Sequence, residues 1–405
     1  MRGVYTIKIA PVETFGRSLQ LAGVGAMLGE LIESGAVTVN LERGEIRVDP
    51  TDYADAAEEM LRLLEEGIYG RMSIKLYTGG TPDTKILAEG TKKKPGAGLH
   101  VCQREPRSVS WVEAAKCYLK LVVDKGGPLG QPKNVPLLSL MRVTVYSKVR
   151  GVWSRSRGSN EFAGFDINAD VDTIGLALVG GTVALIASYI AGRGREQERQ
   201  EVYLVPGESL SSVVNAGLVY MSFHTVSSTT GSTYNDLVRE LRRSEELSAS
   251  WDIVLQLASY IHLSDLLEYL VEVGDPYSSF YLVSIDASGR RPQAYSAQVV
   301  SAFSVYSRLR DVVASRLVWA LRSSSRIRDE STRRGVLKTL SRCIHSLFNY
   351  YWSGSRTYIY ECVRLVEASA SSLRLKEGRE AERAAEALEA LARSLAAAGV
   401  ARTLA

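Results

Sequence analysis

The sequence predicts an α+β fold, with short strands and hairpins in a mixed N-terminal part and mainly helices in the C-terminal part. Period-two alternation and turn residues recur before residue 208, whereas long helical patterns follow from residue 210 onward. A chain of 405 residues that is 45% hydrophobic is long enough for two domains with buried cores. We therefore predict an α+β domain over residues 1–208 and a mainly α-helical domain over residues 209–405.

Residue patterning justifies the elements of the N-terminal part in order. Residues 4–9 alternate like a strand, residues 14–34 have an apolar helical face, and residues 37–48 indicate a hairpin that turns at Arg43 and Gly44. A helix opens near Asp49, with Thr51 or Asp52 as its cap, and ends near Gly67. The remaining predictions are a strand over 72–77, a loop over 78–98, a helix over 111–123 and irregular chain over 126–136.

Residues 173–191 carry no charged side chain, which is close to the pattern of a membrane span. The polar residues and the Gly180-Gly181 pair favour a core helix instead, so we predict no membrane contact. Beyond this stretch the patterns indicate strands over 202–205 and 280–285, and helices over 210–222, 234–247, 251–272, 297–326, 331–352, 355–373 and 377–398.

The four cysteines, Cys102, Cys117, Cys343 and Cys362, show no CxxC spacing. Such cysteines are typical of reduced, mostly buried thiols in a cytoplasmic protein.

The stretch from Lys125 to Asn160 is strongly basic. It holds seven basic side chains and no acidic one. Its centre alternates with a period of two, which predicts a half-buried strand. Met141, Val143, Val145 and Val149 form the apolar side of this strand, and Arg142, Thr144, Tyr146, Lys148 and Arg150 form the other.

Charge is segregated along the whole chain. Residues 92–157 contain 14 basic and three acidic side chains, and residues 300–364 contain 12 basic and four acidic ones. Between them, residues 158–299 contain eight basic and 18 acidic side chains. Two basic blocks separated by an acidic block suggest a polyanion that the protein contacts in two places.

Lysine, arginine and amide side chains are suited to phosphate oxygens, and an exposed tyrosine is suited to base stacking. A solvated strand face and surface loop is the alternative interpretation. The predicted nucleic-acid-binding residues are Lys92, Lys93, Lys94, Arg142, Tyr146, Lys148, Arg150, Arg155, Arg157 and Asn160.

The second basic block lies on predicted helices. These helices form either a solvated arginine-rich face or a wall along a nucleic-acid backbone. Val312, Val313, Leu317, Trp319 and Ala320 are predicted to face inward.

Two further motifs are better explained without a ligand. Gly23, Gly25 and Gly29 match a variant dinucleotide fingerprint, but the segment before them is helical in pattern, so we interpret the glycines as sites of close helix packing. Residues 166–172 resemble the start of a calcium loop but lack its glycine and its last glutamate, so we predict a solvated acidic turn that caps the next helix. The sequence shows no metal cluster, no nucleophile–base pair and no phosphate loop, and we predict no catalysis and no cofactor.

The order of parts resembles the large subunit of archaeal type I-A CRISPR interference (Cascade) complexes. The similarity runs through a glycine-containing helix (Gly23 to Leu31), a hairpin, a basic middle through the segment from Lys148 to Ser154, the segment from Tyr203 to Pro206, and a helical second half. It implies a non-enzymatic subunit that helps to recognise the protospacer-adjacent motif and holds target DNA beside a guide RNA. It also implies assembly with backbone, small and helicase–nuclease subunits.

Two other functions remain open at this point. One is a nucleotide-dependent enzyme that uses a turn at Gly23, Gly25 and Gly29. The other is a scaffold subunit that contacts only protein and docks its basic blocks onto acidic partners.

Overall fold

The computed structural model of the chain describes residues 3–10, 14–69, 87, 90–91, 94–95, 97–99, 110–138, 140–142, 168–191, 198–230, 279–286, 293–301, 316–317, 319–320, 323–324 and 326–401. The strand predicted over 72–77, the helices predicted over 234–247 and 251–272 and most of the loop predicted over 78–98 lie outside these residues.

The helices of the described residues are α1 (Phe15–Glu33), α2 (Pro50–Glu65), α3 (Trp111–Lys125), α4 (Val171–Ala184), α5 (Leu210–Thr230), α6 (Glu330–Ser353), α7 (Thr357–Arg374) and α8 (Arg379–Ala401). Their strands are β1 (Tyr5–Lys8), β2 (Thr38–Asn40), β3 (Glu45–Val48), β4 (Gly90–Thr91), β5 (Lys94–Pro95), β6 (Val135–Pro136), β7 (Asn168–Ala169), β8 (Leu185–Ala191), β9 (Glu198–Pro206), β10 (Ser279–Asp286) and β11 (Gln293–Ser301). Strands lie mostly in the N-terminal half and helices dominate the C-terminal part, so the predicted α+β class is confirmed.

The chain divides into two compact units. Unit 1 comprises residues 1–224 and 277–300, and unit 2 comprises residues 225–276 and 301–405. Unit 1 extends past the boundary predicted at residue 208 because α5 packs against α1 and because β10 pairs with β9.

A small antiparallel sheet opens unit 1, with its strands in the order β1-β3-β2. Ile7 of β1 lies opposite Ile46 of β3, and both side chains are buried. This sheet confirms the predicted first strand and hairpin. The cap of α2 is Asp49, whose carboxylate accepts from the backbone N–H of Thr51 at 2.8 Å. The predicted cap at Thr51 or Asp52 is wrong because Pro50 takes the first helical position, so the cap must precede it.

The core of unit 1 is the pair α1 and α4, which meet at glycines. A Cβ atom on Gly23 of α1 would overlap the carbonyl oxygen of Leu176 on α4. A Cβ atom on Gly180 of α4 would overlap the carbonyl oxygen of Leu19 on α1. The two backbones are therefore in direct contact, and no larger residue fits at either position without moving a helix.

The other glycines of the motif face α5. A Cβ atom on Gly25 would overlap the carbonyl oxygen of Val213, and one on Gly29 would lie 3.0 Å from that of Val214. These contacts confirm the interpretation as close helix packing. Residues 23–29 lie inside α1, so the glycine turn on which the nucleotide-dependent alternative relies is not formed.

A four-stranded sheet in the order β11-β10-β9-β8 completes unit 1. β9 confirms the strand predicted over residues 202–205, and β10 confirms the strand predicted over 280–285. The core helix predicted over 173–191 is wrong beyond Ala184, where β8 begins. The helix predicted over 297–326 is wrong at its start, where β11 lies. In both cases pairing with a neighbouring strand supplies the backbone hydrogen bonds and outweighs local helical preference.

In unit 2, α7 packs against α6 and α8. Their inner faces are apolar, with Leu340, Leu347, Val366, Leu388 and Leu391 buried. The carboxylate of Asp329 caps α6 by accepting from the backbone N–H of Thr332 at 3.0 Å, and Gly354 ends the helix with a φ of 70°. These three helices confirm the predictions over 331–352, 355–373 and 377–398.

Cys343 of α6 and Cys362 of α7 are fully buried, as predicted, but they form a disulfide. The expectation of reduced thiols is therefore wrong for these two residues. Packing of α6 on α7 brings the two sulfur atoms together, and the sequence spacing of 19 residues does not reveal this contact.

None of the helices in the described ranges has the length and apolarity needed to cross a membrane.

Candidate nucleic-acid interface

A short antiparallel strand pair flanks much of the basic stretch in sequence. In β6 and β7, Val135 lies opposite Ala169 and Pro136 lies opposite Asn168. The chain between these strands contains seven of the ten predicted site residues, from Arg142 to Asn160. The strands that precede and follow this charged segment are therefore held together as one strand pair.

Lys94, the last residue of the lysine cluster, begins a strand beside this pair. β4 pairs with β5, and Thr91 lies opposite Lys94. Residues of β5 come within 8 Å of residues of β6, measured between Cα atoms. The backbone of Lys94 thus lies near β6, and the predicted cations from Arg142 to Arg157 follow β6 in sequence.

The predicted basic strand does not begin at Met141. Leu140–Arg142 form a short 3-10 helix, in which the side chains of Leu140 and Met141 are both buried. A Cβ atom on Gly16 of α1 would lie 3.1 Å from the Cβ atom of Met141. Consecutive residues of a strand point to opposite faces, so burying Leu140 and Met141 side by side against α1 requires a tighter turn. For Arg142 only the backbone is described.

Asp172 holds the loop that leads into β6. Its carboxylate accepts from the backbone N–H groups of Leu129 and Gly130, each at 2.8 Å, and from the hydroxyl of Tyr118 at 3.1 Å. The hydroxyl of Tyr118 also lies 2.5 Å from that of Tyr53. The neighbouring residue Val171 donates its N–H to the carbonyl oxygen of Pro132 at 3.2 Å. The start of α4 therefore positions the chain that enters the candidate interface.

This carboxylate is fully buried, as are the two tyrosines. Burial raises the pKa of Asp172 above its usual value, although the two backbone N–H groups oppose the shift. Burial also raises the pKa of Tyr118 and of Tyr53, and burial together with Asp172 raises the pKa of Tyr5 to about 12. The predicted solvated acidic turn is wrong for Asp170 and Asp172, because both are buried and the loop and α3 contact Asp172. Asp170 does occupy the N-cap position of α4.

Most of the predicted site residues lie outside the described residues, and their roles stay predictions. They are Lys92, Lys93, Tyr146, Lys148, Arg150, Arg155, Arg157 and Asn160.

The second basic block presents an aromatic side chain that does not face inward as predicted. Leu317 and Ala320 are fully buried, as predicted, but Trp319 is 38% exposed. Helical periodicity accounts for this, since residue 319 lies about 200° around the helix from residue 317. Counting helical positions from Leu317 is the signal that would have identified Trp319 as outward-facing.

Among the described residues, no group of three or more His, Cys, Asp and Glu side chains is arranged to hold a metal ion. Comparison with models of known protein families and with the sequences of characterised proteins finds no match to this chain.

Proposed function

We propose that this chain is a non-catalytic, nucleic-acid-binding large subunit of a type I-A CRISPR effector complex. In this role it helps to recognise the protospacer-adjacent motif and holds target DNA beside the guide RNA. The resemblance in the order of its parts supports this proposal. So does the charge of residues 92–157, in which 14 basic side chains face only three acidic ones.

One structural observation carries the proposal furthest. The lysine cluster reaches the β5 strand, the Arg142–Asn160 segment lies between β6 and β7, and β5 lies beside β6. Lys94 and Arg142 lie 48 positions apart in sequence (142 − 94), yet the strands that carry the two cationic segments are neighbours. Cationic segments that are attached to neighbouring strands concentrate positive potential, which is what a phosphate backbone requires.

Different groups contact the phosphates, the base edges and the rest of the target within the complex. Lysine and arginine side chains fix the position of the phosphates, a few side chains read a short motif at base edges, and guide pairing reads the rest of the target. The chain then needs no cofactor of its own. Its partners are target DNA, guide RNA and the backbone, small and helicase–nuclease subunits, and its place of action is the cytoplasm, with no membrane partner.

Salt titration of DNA binding tests the proposal. If about six phosphates are neutralised, the logarithm of the binding constant should fall against the logarithm of salt concentration with a slope of about −5 on duplex DNA. The isolated chain and the reconstituted complex should both be measured. A flat salt response, or no binding at low salt by either sample, rejects the nucleic-acid role and favours the scaffold that contacts only protein.

Alanine variants locate the interface. Changing Lys148 or Arg150 to Ala should weaken binding to all sequences alike and lower the salt slope by about one unit each. Lys120→Ala is the matched control, because Lys120 is exposed on α3 and pairs with Glu65 at 3.4 Å. It removes the same charge at a residue that is not among the ten predicted site residues, so its slope should equal that of the parent. A fall as large as that of the strand variants would mean that only net charge matters.

Base reading is tested on the loop that the sequence predicts over residues 154–160. Arg157→Ala and Asn160→Ala should cost more affinity on a preferred motif than on a scrambled one, because an arginine fork pairs with guanine and an asparagine amide with adenine. Equal losses on both DNAs would show that the loop only positions the backbone.

A further inference from the structure

Unit 2 carries an exposed stack of an arginine on a tryptophan. Arg316 and Trp319 are three positions apart in a helical stretch and therefore lie on one face. The guanidinium carbon of Arg316 lies 5.9 Å from the centre of the Trp319 ring, within the range of a cation–π contact. Leu317 and Ala320 are fully buried and anchor this stretch, while Trp319 keeps 38% of its surface exposed. The stack is thus held from below and open to a ligand on its outer side.

Its surroundings are cationic. Residues 312–328 contain four arginines and no acidic residue. Arg316, Arg326 and Arg328 are exposed. Arg328 pairs with Glu380 at 3.0 Å, whereas Arg316 and Arg326 form no ion pair within the described part of the chain. Positive charge beside an open aromatic ring fits a ligand that has both phosphates and flat rings.

We propose that Trp319 and Arg316 form a stacking site for an unpaired base of single-stranded nucleic acid, with Arg326 on the adjoining phosphates. This inference rests on the proposed function and adds to it a second contact, on unit 2. A duplex has its bases stacked on one another, so only a single strand can place a base on an indole ring. Such stacking accepts every base, because each base has a flat face.

A protein partner is the other ligand that tryptophan and arginine favour, because both are common at the centres of protein interfaces. The charge argues against it here. The centre of a protein interface is depleted in charged residues, whereas arginine and serine dominate residues 322–328.

Three variants and two ligands test the site. Trp319→Leu keeps an apolar side chain but removes the ring, Trp319→Phe keeps a smaller ring, and Tyr360→Leu is the matched control. Tyr360 is an aromatic residue on α7 that is 48% exposed. The probes are a labelled oligothymidylate and a labelled duplex of mixed sequence, at one salt concentration. Thermal melting of each variant should first be shown to match that of the parent.

Trp319→Leu should weaken binding of the oligothymidylate by about tenfold and Trp319→Phe by less, in line with the loss of one stacked base. Both should leave duplex binding nearly unchanged, and Tyr360→Leu should behave like the parent on both ligands. Oligothymidylate should also quench tryptophan fluorescence in the parent, and this quenching should be smaller in Trp319→Phe. A purely structural role of Trp319 does not produce that optical signal.

The results that overturn the site differ from those that reject the proposed function. If the parent binds neither ligand, the proposed function fails and the site fails with it. If the parent binds both ligands but Trp319→Leu keeps the parent affinity for oligothymidylate, or loses no more than Tyr360→Leu, the stacking site alone is wrong. If Trp319→Leu binds both ligands with the affinity of the parent but no longer assembles into the complex, Trp319 and Arg316 form a protein contact instead.

Discussion

At the scale of single residues, the order of the chain before β6 depends on Asp172. Residue type and spacing predict an acidic helix start here, and Asp170 does stand at the N-cap position of α4. The burial of Asp172 was not predictable, because the backbone groups that cover it, those of Leu129 and Gly130, lie 43 and 42 positions away. The local sequence pattern predicts where a helix begins, but only the folded structure shows which residues cover its first turn.

Asp172→Asn should lower the free energy of unfolding by about 1–3 kcal/mol, because an NH2 group replaces one of the two carboxylate oxygens and leaves the part-buried N–H of either Leu129 or Gly130 without its acceptor. Asp170→Asn is the matched control, since it removes the same charge from the same helix end and Asp170 makes no side-chain cap hydrogen bond. Its effect should be small, because Asn and Asp are equivalent at an N-cap. Urea unfolding measures both, and equal losses for the two variants would contradict a specific role of Asp172.

The same residue gives a pH dependence of known sign. Because folding raises the pKa of Asp172 above its usual value of 3.8, the folded protein binds more protons than the unfolded chain at pH values between the two pKa values. The contribution of Asp172 to stability therefore decreases as pH rises from 3.8 through its folded-state pKa. Asp172→Asn lacks this titration, so the stability difference between parent and variant should shrink over the same pH rise. A constant difference from acidic to neutral pH would show that the carboxyl does not titrate in this way.

At the scale of elements, the glycines of α1 decide which helices are in contact. The sequence predicts both the helix and close packing, yet its partners, Leu176 on α4 and Val213 on α5, lie far along the chain and were not identified. The strands β8 and β11 were missed for a related reason. Each gains its hydrogen bonds from a neighbouring strand, and single-sequence periodicity carries no information about that neighbour.

Alanine substitutions along α1 should rank by the space that each glycine leaves. Gly23→Ala places a Cβ atom on the backbone of Leu176 and should cost about 1–3 kcal/mol or more, as overpacking does. Gly29→Ala should cost less, because its Cβ atom would lie 3.0 Å from the nearest oxygen and needs only a small shift. Denaturant midpoints with tryptophan fluorescence give the order.

Gly335→Ala is the control for helix propensity. Gly335 lies in α6, and a Cβ atom there would meet nothing within 4 Å. The substitution should therefore stabilise unit 2 by about 0.4–1 kcal/mol. If Gly23→Ala also stabilises the protein, the close contact between α1 and α4 is wrong.

At the scale of the whole molecule, the two basic blocks fall in different compact units, since residues 92–157 belong to unit 1 and most of residues 300–364 to unit 2. Charge counting along the sequence predicts both blocks, and the structure adds that the strands before and after the Arg142–Asn160 segment pair with each other. Trp319 was missed because apolar residues were assigned inward by type. An indole is largely apolar, but its position on the helix, opposite Leu317, decides its exposure.

The final prediction concerns whether both blocks bind one nucleic acid. Lys148→Ala removes one positive charge from the first block, Arg326→Ala removes one from the second, and the double variant removes one from each. If one strand runs across both blocks, each single variant should lower the salt slope by about one unit and the double variant by about two, with one nucleic-acid molecule bound per chain. Titration at several salt concentrations gives the slopes, and analytical ultracentrifugation gives the stoichiometry. If two nucleic-acid molecules bind per chain and only Lys148→Ala changes the salt slope of the tighter site, the blocks act separately. The reason is that a cation outside a binding site releases no counterion when that site fills.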